Sequence, residues 1–268
     1  MHDIESLRWV RLRAGVPVVR RDDRHLQVGS HPQWRVVVPA TPAFGALLRR
    51  LARGLDPSLL PGDEASLVAD LADARLLVAP GERDRRLLRR SRTLVGLAGP
   101  EVWLGELAGR LSDAGVRSVE GADEEADVAV VISAGEPDRE AGDRCLRADQ
   151  PTLFVAAVDG RVLVGPFVVP GSTACLQCLD AHARDRDARH PVLVEQWSGG
   201  AQPVEVEASL MSLALAWACD DVVRWCHAAR PTTWSATVRL DEEAAPQVLT
   251  WAPHPWCGCG WSGLDVPG

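Results

Sequence analysis

Lysine, asparagine and tyrosine are absent from this 268-residue sequence, and phenylalanine and methionine are scarce, at three and two. Without lysine there is no Schiff-base chemistry and no phosphate-binding loop of the Gly-Lys-Ser/Thr kind. All 29 basic residues are therefore arginine. No run of 18 apolar residues occurs, so the sequence offers no membrane-spanning helix. Internal repeats and low-complexity segments are also missing. Met1-His2-Asp3-Ile4-Glu5 does not open a secretory signal, and seven cysteines is an odd number. A disulfide framework is accordingly not expected, and a soluble protein of the reducing cytoplasm is.

What is present is ordinary globular composition, 46% hydrophobic and 25% charged. The net charge of −8 hides an asymmetry. Residues 1–92 hold 17 arginines against 11 acidic residues, whereas the remainder holds 12 against 26. Two surfaces of opposite sign imply two units.

Residues 1–80 read as strands followed by helices. Gly15 to Arg20 and His25 to Gly29 flank the polar Arg21-Asp22-Asp23-Arg24 as a hairpin, and Trp34 to Val38 gives a third strand ending at Pro39. Thr41-Pro42 provides a cap and a first-turn proline ahead of Phe44, Leu47, Leu48 and Leu51 at helical spacing, and Gly54 stops that helix. A short turn around Asp56 to Leu60 precedes a helix capped by Asp63, with Leu67, Val68, Leu71 and Leu76 on one face. Three strands and three helices make a small winged-helix-like unit. Residues 81–92 are Arg-rich with few apolar side chains and read as a linker. From Thr93 to Gly268 strands and helices alternate in an α/β pattern, with an Asp159-Gly160 hairpin turn.

Four of the cysteines fall in two close pairs, Cys175-Leu176-Gln177-Cys178 and Cys257-Gly258-Cys259. Thiolates suit a zinc ion, and each pair can supply two corners of a tetrahedron. Gly258 and Gly260 are expected to let the backbone turn beneath the sulfurs. The 78 residues between the pairs add little closure cost, which grows only with the logarithm of length. Four protein thiolates leave no open position, so the expected Zn2+ is structural. Cys219 and Cys226 lie in an apolar helical run and read as core, and Cys145 stands alone.

A strand, the turn Gly96-Leu97-Ala98-Gly99, a helix, the strand Val130-Val131-Ile132, a hairpin ending in Gly165-Pro166, then Pro170 to Cys178 and His254 to Cys259 resemble the ThiF and MoeB type of ubiquitin-activating fold. With the small unit in front, the chain resembles the ThiF-like partner proteins of YcaO cyclodehydratases, which help make thiazole and oxazole heterocycles in ribosomal peptides. The resemblance implies that the N-terminal unit is a recognition element similar to PqqD that binds the precursor's leader peptide. It also implies a YcaO-type cyclodehydratase as partner, and it is compatible with a homodimer.

The nucleotide loop departs from that family. Gly96-Leu97-Ala98-Gly99-Pro100-Glu101 lacks two glycines of Gly-x-Gly-x-x-Gly, Pro100 removes an N–H donor, and Glu101 sets a carboxylate where phosphate would sit. The family's Asp-Asn pair is here Gly135-Glu136, and its lysine is absent. The expectation is a non-catalytic subunit. Its leader would add as a strand beside Arg35, Val36, Val37 and Val38, against a wall of Leu67, Leu71, Ala74 and Arg75, with Arg49 and Arg75 steering an acidic peptide. Two alternatives stay open: a DNA-binding, metal-responsive regulator, and an active adenylating enzyme passing an acyl group to Cys145, Cys219 or Cys226. Against DNA stand Asp63, Glu64, Asp70 and Asp73 on the helix that would read it.

Overall fold

A polar turn between two valine-bearing runs builds the first sheet. In the computed structural model, which describes residues 9–121, 125–198 and 204–259, strands β2 (Val18–Arg20), β3 (His25–Val28) and β4 (Val36–Pro39) pair antiparallel in the order β2-β3-β4. Leu26 stands opposite Val38 and Val28 opposite Val36, which turns both pairs toward the same face. Helix α1 (Pro42–Arg53) starts where Thr41 accepts a hydrogen bond from the Phe44 amide at 3.2 Å, with proline in its first turn. It ends at Gly54, whose φ of 104° suits glycine, and a Cβ there would strike the Trp9 indole.

Helix α2 (Gly62–Asp73) follows a 3-10 turn at Pro57–Leu59. Asp63 is not its cap. Pro61 precedes the helix without a side-chain cap, and Asp63 sits in the first turn, where a carboxylate still favours the helix dipole. A short pair, β1 (Arg11–Leu12) with β5 (Leu77–Val78), completes this unit. Leu47, Leu48, Leu51, Leu67, Val68 and Leu71 join Val28 and Val38 in its core. The unit thus has the three expected strands plus an additional strand pair, and two α-helices with a 3-10 turn in place of three helices.

The chain divides into two units between Arg85 and Arg86. That point lies inside helix α3 (Glu82–Arg92), so the Arg-rich connection is helical. Glu82 and Asp84 in its first turn and Arg89, Arg90 and Arg92 in its last oppose the helix dipole at both ends, which offsets the scarcity of apolar residues.

The second unit is a seven-stranded sheet in the order β12-β11-β10-β9-β8-β6-β7. Strands β6 (Leu94–Ala98), β7 (Arg117–Glu120), β8 (Val128–Ala134) and β9 (Thr152–Val158) run parallel. Then β10 (Arg161–Val168), β11 (Ala236–Leu240) and β12 (Gln247–Thr250) follow antiparallel. Asp159 and Gly160 both have positive φ, the geometry of a two-residue hairpin turn. Side chains alternate between two cores. Val128, Val130, Ile132, Leu153 and Val155 meet helices α4 (Glu101–Asp113) and α8 (Ala208–Cys226). Val131, Phe154 and Val168 face the layer of α5 (Arg139–Arg147) and α6 (Leu176–Arg186). A short helix α7 (His190–Ser198) follows α6. No helix among the described residues is long and apolar enough to cross a membrane.

Candidate functional site

The second core layer ends at four cysteines. After β10, a tight loop sets Cys175 at the start of α6: Thr173 Oγ1 accepts from the Val169 amide at 2.7 Å, and Ser235 Oγ accepts from the Ala174 amide at 2.9 Å. Cys178 follows in the first helical turn. On the other side, β12 delivers Trp251, whose indole N–H donates to Thr237 Oγ1 at 3.0 Å, and the chain then reaches Cys257 and Cys259. The four sulfurs all lie within 4.8 Å of one another.

Their spacing fits a metal. Sulfurs bound at about 2.3 Å to a tetrahedral ion lie about 3.8 Å apart. Here Cys175 is 3.8 Å from Cys178 and 3.6 Å from Cys257, and Cys178 is 3.3 Å from Cys259. All are too far apart for a disulfide, whose sulfurs are about 2.05 Å apart. Cys175, Cys178 and Cys257 are buried, so the four thiols could hold one ion away from water.

The charge balance inside the cluster is already uneven. The hydrogen bond from Cys175 draws the Cys178 thiol down to about 4 despite burial, with the His254 amide donating to the same sulfur at 3.3 Å. That bond and burial push Cys175 up, and burial foremost pushes Cys259 up to about 12. His254 is itself buried. Its Nδ1 accepts from the Trp256 amide at 3.2 Å, which leaves Nε2–H to donate to Asp185 at 3.0 Å, and the carboxylate is held below its usual range by this bond. His182 stands edge-on to His254 at 4.8 Å and donates through Nε2 to the Ala252 carbonyl at 2.9 Å. These contacts fix the tail beside its thiols. The sequence flagged His254 only as a neighbour of the motif.

Gly258 does not have the role expected of it. Its φ is not positive and a Cβ would meet nothing within 4 Å, so the turn does not require glycine. Gly260 lies outside the described residues.

The glycine turn after β6 is built for packing. Gly99 has φ 144°, and a Cβ would come within 2.4 Å of the Ile132 carbonyl oxygen on β8. Its bareness allows two strands to approach. Pro100 is the N-cap of α4 with no side-chain cap, and Glu101 is exposed in the first turn. At the end of β8, Glu136 bonds Arg139 at 3.0 Å, and Arg139 reaches Asp180 on α6 at 2.9 Å. His190 also bonds Asp180, at 3.2 Å. Cys219 and Cys226 are half-buried at the margin of the first core layer, and burial raises both thiols. Cys145 is buried and its thiol points to Gln150 at 3.7 Å.

In the first unit, β4 is an edge strand, paired only with β3 among the described residues. The Ala40 amide donates to the Arg24 carbonyl at 2.7 Å, and this sets the phase of the ladder. Antiparallel pairs alternate between bonded and unbonded, so Val36 and Val38 turn their backbone groups to β3. Arg35 and Val37 turn theirs to the open edge. The side chain of Val37 is also exposed, at 42%. The wall residues are placed differently from the expectation. Leu67 and Leu71, at 3% and 0% exposure, point into the core and not into a groove, because this small unit uses the apolar face of α2 for its own packing. Ala74 is the half-buried C-cap of α2, and Arg75 is exposed at φ 57°.

No family model matches the sequence, and no curated protein matches it. Solved structures do. The chain is similar to the heterocyclase TruD at 17% identity and TM-score 0.70, covering 94% of this chain and 42% of that one. It is similar to a heterocyclase in complex with substrate and cofactor at 18% identity and TM-score 0.68, covering 94% and 39%. The Escherichia coli protein MccB aligns at 14% identity and TM-score 0.66, covering 94% and 96%, and MccB in complex with N-formylated MccA at 13% and 0.66, covering 94% and 99%. The chain therefore spans about two fifths of the heterocyclases and nearly all of MccB. At such identities the likeness is one of fold: a mixed α/β sheet preceded by a small unit.

Proposed function

We propose that the chain is a non-catalytic subunit that binds the leader of a ribosomally made precursor peptide and presents it to a YcaO-type cyclodehydratase that forms azolines. The observation that carries this reading is the open edge of β4, where Arg35 and Val37 offer unpaired backbone groups beside an exposed Val37 side chain. A peptide strand added there gains register from the main chain and specificity from side chains. The fold shared with a heterocyclase and with MccB, which has been solved with the peptide MccA, supports a place in peptide maturation. The first unit then serves as a winged-helix-like recognition element similar to PqqD, within residues 1–80, and residues 93–268 form the ThiF-like part. The four thiolates hold structural Zn2+. The leader contacts become Arg35 to Val38 with Ala74 and Arg75, while Leu67 and Leu71 support the site from beneath.

The non-catalytic role rests on Gly99, Pro100 and Glu101 together with the lack of lysine. A second reading, an active adenylating enzyme, is favoured by the likeness to MccB, a biosynthetic enzyme, and by Arg139, a cation at the start of α5 that is paired with Glu136 and Asp180. A DNA-binding regulator finds less support, since Asp63, Asp70 and Asp73 are exposed on α2.

Three titrations of the 268-residue chain separate these readings: a synthetic leader peptide, a DNA duplex, and ATP with magnesium followed by pyrophosphate exchange. The proposal expects binding only of the peptide and no exchange.

A further inference from the structure

The first unit contains a cavity of about 490 Å3 bordered by β1, β2, β3 and α1, with no β4 residue in its lining. Leu12, Val16, Val18 and Leu26 line it from β1, β2, β3 and the segment between. From α1 come Gly45, Leu48, Arg49 and Ala52, spaced as one helical stripe. The size lies in the range of small-molecule sites.

Two features give the cavity a chemistry. Among the described residues, Arg11, Arg13 and Arg49 line it, no acidic side chain does, and none of the three forms an ion pair. The adjacent Arg50 is paired, with Glu64 at 3.6 Å. Arg13 spends its Nε on the Arg75 carbonyl at 3.2 Å and keeps its terminal nitrogens. A half-open, largely apolar pocket rimmed by guanidinium groups matches an apolar body that ends in an anion, and guanidinium pairs well with planar carboxylate.

The second feature is Gly45. Glycine disfavours a helix interior, and here its φ is not positive and a Cβ would meet only the Arg49 guanidinium at 3.6 Å. Nothing in the fold requires glycine at this position. A larger side chain would occupy the cavity, so the glycine keeps it open.

We propose that this cavity binds an aliphatic carboxylate, with the chain against the strand residues and α1 and the carboxylate on the arginines. No β4 residue lines the site, and the proposal does not depend on the leader-peptide reading.

Titration calorimetry of sodium octanoate into the 268-residue chain should show one saturable site with Kd of about 0.1 mM. Octan-1-ol should bind at least about tenfold more weakly, and octylamine not measurably. Gly45→Leu should abolish octanoate binding with the thermal midpoint kept or raised, while Gly45→Ala should retain binding. The proposal is overturned by the absence of saturable octanoate binding, by octan-1-ol matching octanoate, or by undiminished binding in a folded Gly45→Leu. Should Gly45→Leu not fold, the Arg11→Gln/Arg49→Gln variant decides: roughly tenfold weaker binding supports the site, and unchanged affinity refutes it.

Discussion

Cys175 Sγ lies 3.6 Å from Cys257 Sγ although 82 positions separate them in sequence. Cys178 and Cys259 close the other side of the cluster at 3.3 Å. Such spacing ties the tail after β12 to the start of α6.

The purified chain is expected to carry about one equivalent of zinc, measurable by elemental analysis. Bound thiolates must stay deprotonated, so acidification should release the metal and neutral pH should retain it. Cys257→Ser should lower the zinc content and the thermal midpoint together, whereas Cys226→Ser, outside the cluster, should change neither the content nor its acid release. Metal-free protein with four freely titrating cluster thiols in the folded state would contradict this.

Leu71→Ala should cost about 2 to 5 kcal/mol of stability by opening a cavity in the first core. Its effect on peptide affinity, measured where the variant is still folded, should be small. Ala74→Glu should do the reverse, weakening leader binding by about 1 to 3 kcal/mol with little change in the midpoint. Calorimetric unfolding and peptide titration of both variants check this crossed pattern.

Gly99→Ala should destabilise the second unit by about 2 kcal/mol or more, since it adds a Cβ at positive φ and against the Ile132 carbonyl. Urea unfolding measures it. Unchanged stability of Gly99→Ala would contradict the packing role of Gly99.

The isolated chain should produce neither ADP nor AMP from magnesium-ATP. Steady-state assays and pyrophosphate exchange test this, and turnover in either would favour the adenylating reading.

Much of this was legible in the sequence where the signal is local. Thr41, Pro42 and Gly54 marked both ends of α1, Asp159-Gly160 marked a hairpin, and two close cysteine pairs marked a cluster of four thiols. The β1–β5 pair was not legible, because two residues on each side, joined across more than sixty positions, leave no periodicity. Helix α3 was hidden because Leu87 and Leu88 are its only apolar residues, although acidic residues gather in its first turn and arginines in its last. For Leu67 and Leu71 helical spacing identified the apolar face correctly. It could not tell whether that face met a partner or the protein's own core. The phase of β4 was equally out of reach, since which amides face outward depends on its pairing with β3.

That phase supplies the most direct test of leader capture. Because the Val37 amide faces the open edge, Val37→Pro removes one donor for an added strand while the β3–β4 ladder stays intact. Val38→Pro breaks the ladder itself and serves as the unfolded-edge control. The measurement is leader-peptide titration of wild type and Val37→Pro at matched thermal midpoints. Strand addition at β4 predicts roughly tenfold or greater loss of affinity in Val37→Pro; wild-type affinity in a folded Val37→Pro variant would contradict it.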